Sequence, residues 1–143
     1  MQTAPIVEGE GIFRLIPQRP PIVMVDALFS VSESGTETGL FISSGNIFVS
    51  GGCLMEPGII EHVAQSAAAF AGYSQFLSGE APKLGYIAEI KKFCIERLPL
   101  AGQRLRTKLE VLGQAGNMSL LSAVVSAEGE EIACGQMKIF IKE

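Results

Sequence analysis

"PGIIEHVAQSAAAFAGYSQFL", Pro57 to Leu77, is the one stretch of this 143-residue chain that reads as a long helix. Proline suits a first helical turn, where its missing N–H is not needed, and the alanine-rich body favours helix. "SGEAP" (Ser78 to Pro82) supplies the stop. At about 100° per residue, Ile59, Ile60, Val63, Ala64, Ala67, Phe70 and Ala71 fall within an arc of roughly 140°. Glu61, His62, Gln65, Ser66, Ala69, Gly72 and Tyr73 occupy the opposite arc. The helix is amphipathic, and its second arc carries the only histidine of the chain.

Working outward, the other regular segments read as strands. Upstream, "IVMVDALFSVS" (Ile22 to Ser32) is a β-branched run kept from starting earlier by Pro20 and Pro21, and "TETGLFIS" (Thr36 to Ser43) follows a turn, so the two form a hairpin. A loop with three glycines, Ser44 to Glu56, leads into the helix. Downstream come four strand-like runs: "KLGYIAEIKKFCIERL" (83–98), "RLRTKLEVLG" (104–113), "MSLLSAVVSA" (118–127) and "EIACGQMKIFIK" (131–142). The turns between them are short enough for antiparallel neighbours. Two strands, one helix and four more strands imply an α+β sandwich, an antiparallel sheet with a single helix on one face.

The length suits a single domain spanning residues 1–143. Apolar residues reach 48%, enough that part of the surface is expected to close an oligomer interface. The net charge of −4, with few and dispersed basic residues, argues against a nucleic-acid partner and favours a small or carrier-bound ligand. No basic start followed by an apolar run opens the chain, and no segment is apolar for the length of a membrane span, so a cytoplasmic protein without membrane insertion is expected. Cys53, Cys94 and Cys134 are odd in number and widely spaced, which reads as reduced thiols rather than a disulfide framework or a zinc site.

No Walker loop, dinucleotide fingerprint or metal-binding cluster occurs, so neither a cofactor nor a metal is expected. The chemistry then falls to the second helical arc. Such an arc commonly faces water. Ala69 and Gly72, however, are small in the way a closely approached surface requires, and they point to an interface or a lined cleft. Glu61 can act as general acid or base, and His62 titrates near neutrality unaided. Adjacent helical residues point about 100° apart, so the two do not form a simple dyad across one substrate. Cys53, in the glycine-rich loop, reads as a small buried side chain more readily than as a nucleophile.

The chain resembles the hotdog-fold 3-hydroxyacyl-[acyl carrier protein] dehydratases over nearly its whole length. "IPQRPPIVMVD" (Ile16 to Asp26) is similar to the family's Leu-Pro-His-Arg-x-Pro-x-x-x-Val-Asp segment, with Gln18 in the histidine position. "MEPGIIEHVAQ" (Met55 to Gln65) is similar to its helix opening, and "IKKFCIERLPLAGQRL" (Ile90 to Leu105) to the long strand that runs into a Pro-Gly-Asp turn. The resemblance implies a curved sheet wrapped around the helix, dimers joined edge to edge, and an acyl tunnel at the dimer interface. It also implies that Glu61 is the catalytic carboxylate and that Gly58 offers a helix-start amide to the thioester carbonyl, with Gln65 as a further substrate contact.

Where the family carries Gly-His-Phe-Pro-Gly, this chain reads "FVSGGCLMEPG" (Phe48 to Gly58), shorter by two residues before the glutamate and without histidine. In this it is closer to the dehydratase-like subunits of aryl polyene pathways. One carboxylate must then both remove and deliver a proton, or be helped. His62 stands one residue beyond the matched glutamate; it is open to two uses, reaching a partner's cleft as a second catalytic group or hydrogen bonding at the dimer interface. Three functions follow. The first is a dehydratase acting on acyl-carrier-protein thioesters, as a homodimer or as a heterodimer with a histidine-complete dehydratase. The others are a hotdog thioesterase and a non-catalytic acyl-chain binder.

Overall fold

The computed structural model describes residues 4–81 and 85–141. The expected strand start at Lys83 and Leu84, the helix stop at Pro82 and the strand end at Lys142 lie outside the described residues. The long helix, α1, runs Glu56–Leu77, with Pro57 in its first turn and Met55 as an extended cap. Among the described residues nine strands accompany it: β1 (Val7–Glu8), β2 (Ala27–Ser32), β3 (Gly35–Phe41), β4 (Val49–Ser50), β5 (Cys53–Leu54), β6 (Gly85–Ile95), β7 (Arg104–Ala115), β8 (Met118–Ala127) and β9 (Glu130–Ile141). Seven form one antiparallel sheet in the order β1-β2-β3-β7-β8-β9-β6, which leaves β6 on an edge. The α+β, hotdog-type architecture expected from the sequence is the one observed.

Strand alternation decides which face the helix covers. In β7, Leu105, Thr107 and Leu109 are buried while Arg104, Lys108 and Glu110 are exposed, the two-residue period of a sheet with one wet face. Leu121, Ala123 and Val125 of β8 and Met137 and Ile139 of β9 continue the same inner surface. Ile59, Val63 and Ala67 of α1 pack into it. At roughly 25 cal/mol per Å² of buried apolar area, this layer is the main stabilising contact of the fold.

Three features were not legible in the linear pattern. The strand expected from Ile22 begins at Ala27, as β2. Ahead of it, β1 and a 3₁₀ helix (Gly9–Arg14) fold back over α1. Ile12, Leu15, Ile16, Val25 and Leu28 form a second apolar cluster there with Ala69 of the helix. The loop before α1 also contains the small hairpin β4–β5, whose turn residues Gly51 and Gly52 both have positive φ, the backbone a tight two-residue hairpin demands. Leu54 N–H donates to Pro99 O, and Met55 N–H to Phe48 O, so the loop is tied down at both sides.

Candidate active site

The second arc of α1 faces neither water nor an open cleft: the chain's own N-terminal segment and strands β3 and β7 cover most of it. Gly72 lies against the backbone of Leu15, where a Cβ would overlap the Leu15 carbonyl. The small residues do mark a closely approached surface, but the surface that approaches is intramolecular.

His62 is fully buried within the protomer. Its Nδ1 donates to the Met24 carbonyl at 2.6 Å, because a carbonyl can only accept. Nε2 is then the acceptor for the Thr107 hydroxyl at 2.7 Å. Burial lowers the imidazole pKa from 6.5 to about 4, with the Met24 carbonyl opposing in part, so the ring is neutral at physiological pH. The expected placement of His62 at a dimer interface is therefore corrected: the residue is sealed inside one subunit. Both of its nitrogens are engaged by groups of its own chain.

Beside it, Ser66 Oγ donates to His62 O at 2.7 Å and pairs with Thr38 Oγ1 at 2.7 Å. Thr38 and Thr107 are direct cross-strand partners on β3 and β7. Two buried threonines on the sheet thus meet two polar side chains on the helix, which satisfies all four hydroxyl and imidazole groups in the core.

Gln65 completes the arrangement. Its Oε1 accepts the Met24 N–H at 2.6 Å, while Nε2 donates to Ile22 O at 2.8 Å and to Glu61 Oε1 at 2.9 Å. Met24 thus gives its N–H to Gln65 and its C=O to His62. Side chains of the helix thus satisfy backbone groups of Ile22 and Met24 in a segment that is not part of the sheet. The ladder begins where Asp26 N–H donates to Gly39 O. The Asp26 carboxylate accepts from Phe41 N–H at 2.8 Å; burial raises its pKa, against the lowering effects of that bond and of Arg104.

Of the four site residues read from sequence, three are brought together: Glu61, Gln65 and His62 share one turn of α1. Glu61 is half-buried, and the Gln65 amide holds one of its oxygens. Gln65, with its oxygen and both amide protons already engaged, positions Glu61. Gly58 differs from expectation, because its amide is not free: it donates to Met55 O at 2.9 Å in the tight first turn. Its missing side chain is what the packing uses, since a Cβ there would overlap Phe48 and Leu54. Cys53 is half-buried in β5, bridged to Leu100.

A cavity of about 590 Å³ lies elsewhere, under the C-terminal half of the helix between Ala67, Phe70, Ala71, Leu121 and Ile139. Those helical residues belong to the sheet-facing arc, and Ala71 is about 15 Å along the axis from Glu61. A molecule there would not touch the carboxylate. Among the described residues, no group of three or more His, Cys, Asp and Glu side chains is placed to hold a metal. No helix among them is long and apolar enough to cross a membrane.

Residues missed from the sequence are Thr38, Ser66 and Thr107. The available signal was the polar triplet His62, Gln65 and Ser66 on the same face as Ala69 and Gly72. Polar side chains beside small ones on a buried face must bond to the backbone or hydroxyls that approach them.

Residues 11–143 match the ApeP-like family, described as ApeP dehydratase. The chain belongs to the ApeP-like dehydratase family. It is therefore a dehydratase-like protein of the lyase class. The FabZ 3-hydroxyacyl-[acyl-carrier-protein] dehydratase of Mannheimia succiniciproducens is 30% identical over 142 residues, covering 92% of this chain and 89% of that protein. The corresponding FabZ of Anaeromyxobacter sp. is 27% identical over 135 residues, covering 90% and 86%. Among solved structures, the dehydratase heterocomplex ApeI:P from Xenorhabdus doucetiae superposes with a TM-score of 0.85 at 18% identity, over 99% of this chain and 93% of that one. That last likeness concerns the fold.

Proposed function

We propose that this chain binds a 3-hydroxyacyl thioester carried on acyl carrier protein in the cytoplasm and takes part in its dehydration to the trans-2-enoyl thioester. Glu61 is its catalytic carboxylate, and a second subunit completes the site. The observation that carries this reading is the Gln65 clamp. An amide locked to Ile22 O and Met24 N holds the carboxylate of Glu61 near the start of the helix, so the carboxylate is oriented before substrate arrives.

Elimination needs two proton movements. A proton leaves C2 beside the thioester carbonyl as the double bond forms, and the 3-hydroxyl departs as water after taking one up. Glu61 supplies the proton to the hydroxyl from its carboxylic acid form and is left as the carboxylate, which the Gln65 amide hydrogen-bonds. His62 is an unsuitable base for C2, because it is buried and its lone acceptor nitrogen is occupied by Thr107. The C2 proton therefore goes to a histidine of a histidine-complete partner. Two observations support a paired assembly: β6 is an edge strand carrying exposed Ile87 and Ile90, and the similar Xenorhabdus structure is by name a heterocomplex.

The test is incubation of the purified chain with a 3-hydroxyacyl carrier protein, alone and with a histidine-complete dehydratase, read by intact mass. Loss of one water that depends on both the partner and Glu61 is the expected result. Release of free acid would make the chain a thioesterase. Unchanged substrate in both arms would leave it a non-catalytic binder.

A further inference from the structure

We infer that Cys94 and Cys134 are a modification site: a cross-strand thiol pair that closes to a disulfide under oxidation and staples the edge strand β6 to β9. The two residues are directly opposite each other in the β6–β9 ladder, and both are exposed. Directly opposed residues of an antiparallel pair project from the same face of the sheet. Two positions along, Glu96 N–H donates to Ile132 O at 2.7 Å, so the alternation of the ladder makes Cys94 and Cys134 a hydrogen-bonded pair too. Such pairs have Cα atoms about 5.5 Å apart, within the roughly 4.4–6.8 Å that a disulfide spans.

The pairing depends on an irregularity in β6. Lys91 pairs with Gln136 and Cys94 with Cys134, so three steps on β6 match two on β9. The extra residue makes a bulge, with Lys92 in the left-handed region at φ 51°. Without it Phe93, not Cys94, would stand opposite Cys134. Phe93 instead packs inward against the core, over Gly135, where any Cβ would overlap the Phe93 ring and backbone. A bulge, a glycine and an inward phenylalanine together bring the two thiols face to face on the outer surface. The linear spacing, forty positions from one to the other, conceals the pair.

The chemistry balances with a hydroperoxide as oxidant. One thiolate attacks the peroxide oxygen to give a sulfenic acid and water; the second thiolate attacks that sulfur, forming the S–S bond and expelling a second water. Two thiols are oxidised and one peroxide is reduced, and a dithiol reverses the bond by exchange. Cys53, bridged to Leu100 in another part of the fold, takes no part.

The experiment uses the full chain, reduced, desalted and treated with stoichiometric hydrogen peroxide. The expected result is a mass lower by two hydrogens, a linked peptide pair containing Cys94 and Cys134, reversal by dithiothreitol, and a higher melting temperature for the oxidised form. Cys94→Ser and Cys134→Ser each abolish the link, and Cys53→Ser keeps it. Oxygen adducts without intrachain closure, disulfides only between chains, or a link that involves Cys53 would overturn the assignment.

Discussion

The carboxylate of Glu61 is oriented by Gln65, and Gln65 by the backbone of Ile22 and Met24, so catalytic and structural roles separate by residue. Glu61→Gln is expected to remove turnover in the assembled enzyme while changing stability by less than about 1 kcal/mol, since the half-buried side chain keeps its size. Paired kinetic and urea-melt measurements check this. His62→Ala has the opposite signature. It strands the Met24 carbonyl and the Thr107 hydroxyl and opens a cavity, with an expected loss of about 2–4 kcal/mol. Rate per folded molecule should change far less than for Glu61→Gln. The pH dependence follows from the lowered pKa. Below pH 6.5 the unfolded chain takes up a proton on this histidine that the folded chain refuses until about pH 4. Stability is therefore fully present above 6.5 and falls as pH drops through that window, by up to about 1.4 kcal/mol per pH unit. Asp26 acts with the other sign: its raised pKa lets the folded state bind a proton more readily, which offsets part of the loss at the acid end. Urea midpoints between pH 7 and 4 test the slope, and a flat profile would place His62 in a more polar setting than the one described.

At the scale of elements, the contact between α1 and the N-terminal segment is a helix packed against residues 9–26, which lie between β1 and β2 and outside the sheet. Its tightest point is Gly72 against the Leu15 carbonyl. Gly72→Ala should cost about 1–3 kcal/mol, because neither a helix nor a backbone carbonyl can yield as a flexible side chain would. Ser74→Ala, exposed two residues on, should lie within about 0.5 kcal/mol of wild type. Thermal melts of the two variants make the comparison. The same contact explains how Ile22 to Val25, strand-like in sequence, stays outside the sheet. Buried backbone needs partners for its polar groups, and here helical side chains supply them.

For the whole molecule, the open edge of β6 is the element that assembly must use or protect. Exposed Ile87 and Ile90 lie on it, at 38% and 41% exposure, in a strand with no neighbour on one side among the described residues. An unpaired edge bearing apolar side chains pairs readily with another strand. The chain is expected to be at least dimeric at micromolar concentration by light scattering, as a homodimer or with a histidine-complete partner. Ile87→Lys with Ile90→Lys should shift it toward monomer while the circular dichroism spectrum is kept. A wild-type chain that stays monomeric, alone and with such a partner, would remove the basis for a shared active site.

The number and order of the main elements, the helix from Pro57 to Leu77 and the antiparallel connection of the strands were all determined by the sequence alone. They rest on local signals: apolar period, turn residues and a proline at the helix start. The position of Glu61 on α1 was equally legible, since helical geometry follows from spacing. Which surface faces the second arc was not. His62 could be assigned to water, to a partner or to the core only when Met24 and Thr107, 38 and 45 residues away in the chain, were brought against it. The amide of Gly58, the carbonyl-bound Gln65 and the opposed Cys94 and Cys134 have the same origin. Each depends on a tight turn, a folded-back segment or a bulged register that joins distant residues. Periodicity records which way a side chain points from its own element, and only packing decides what stands there to meet it.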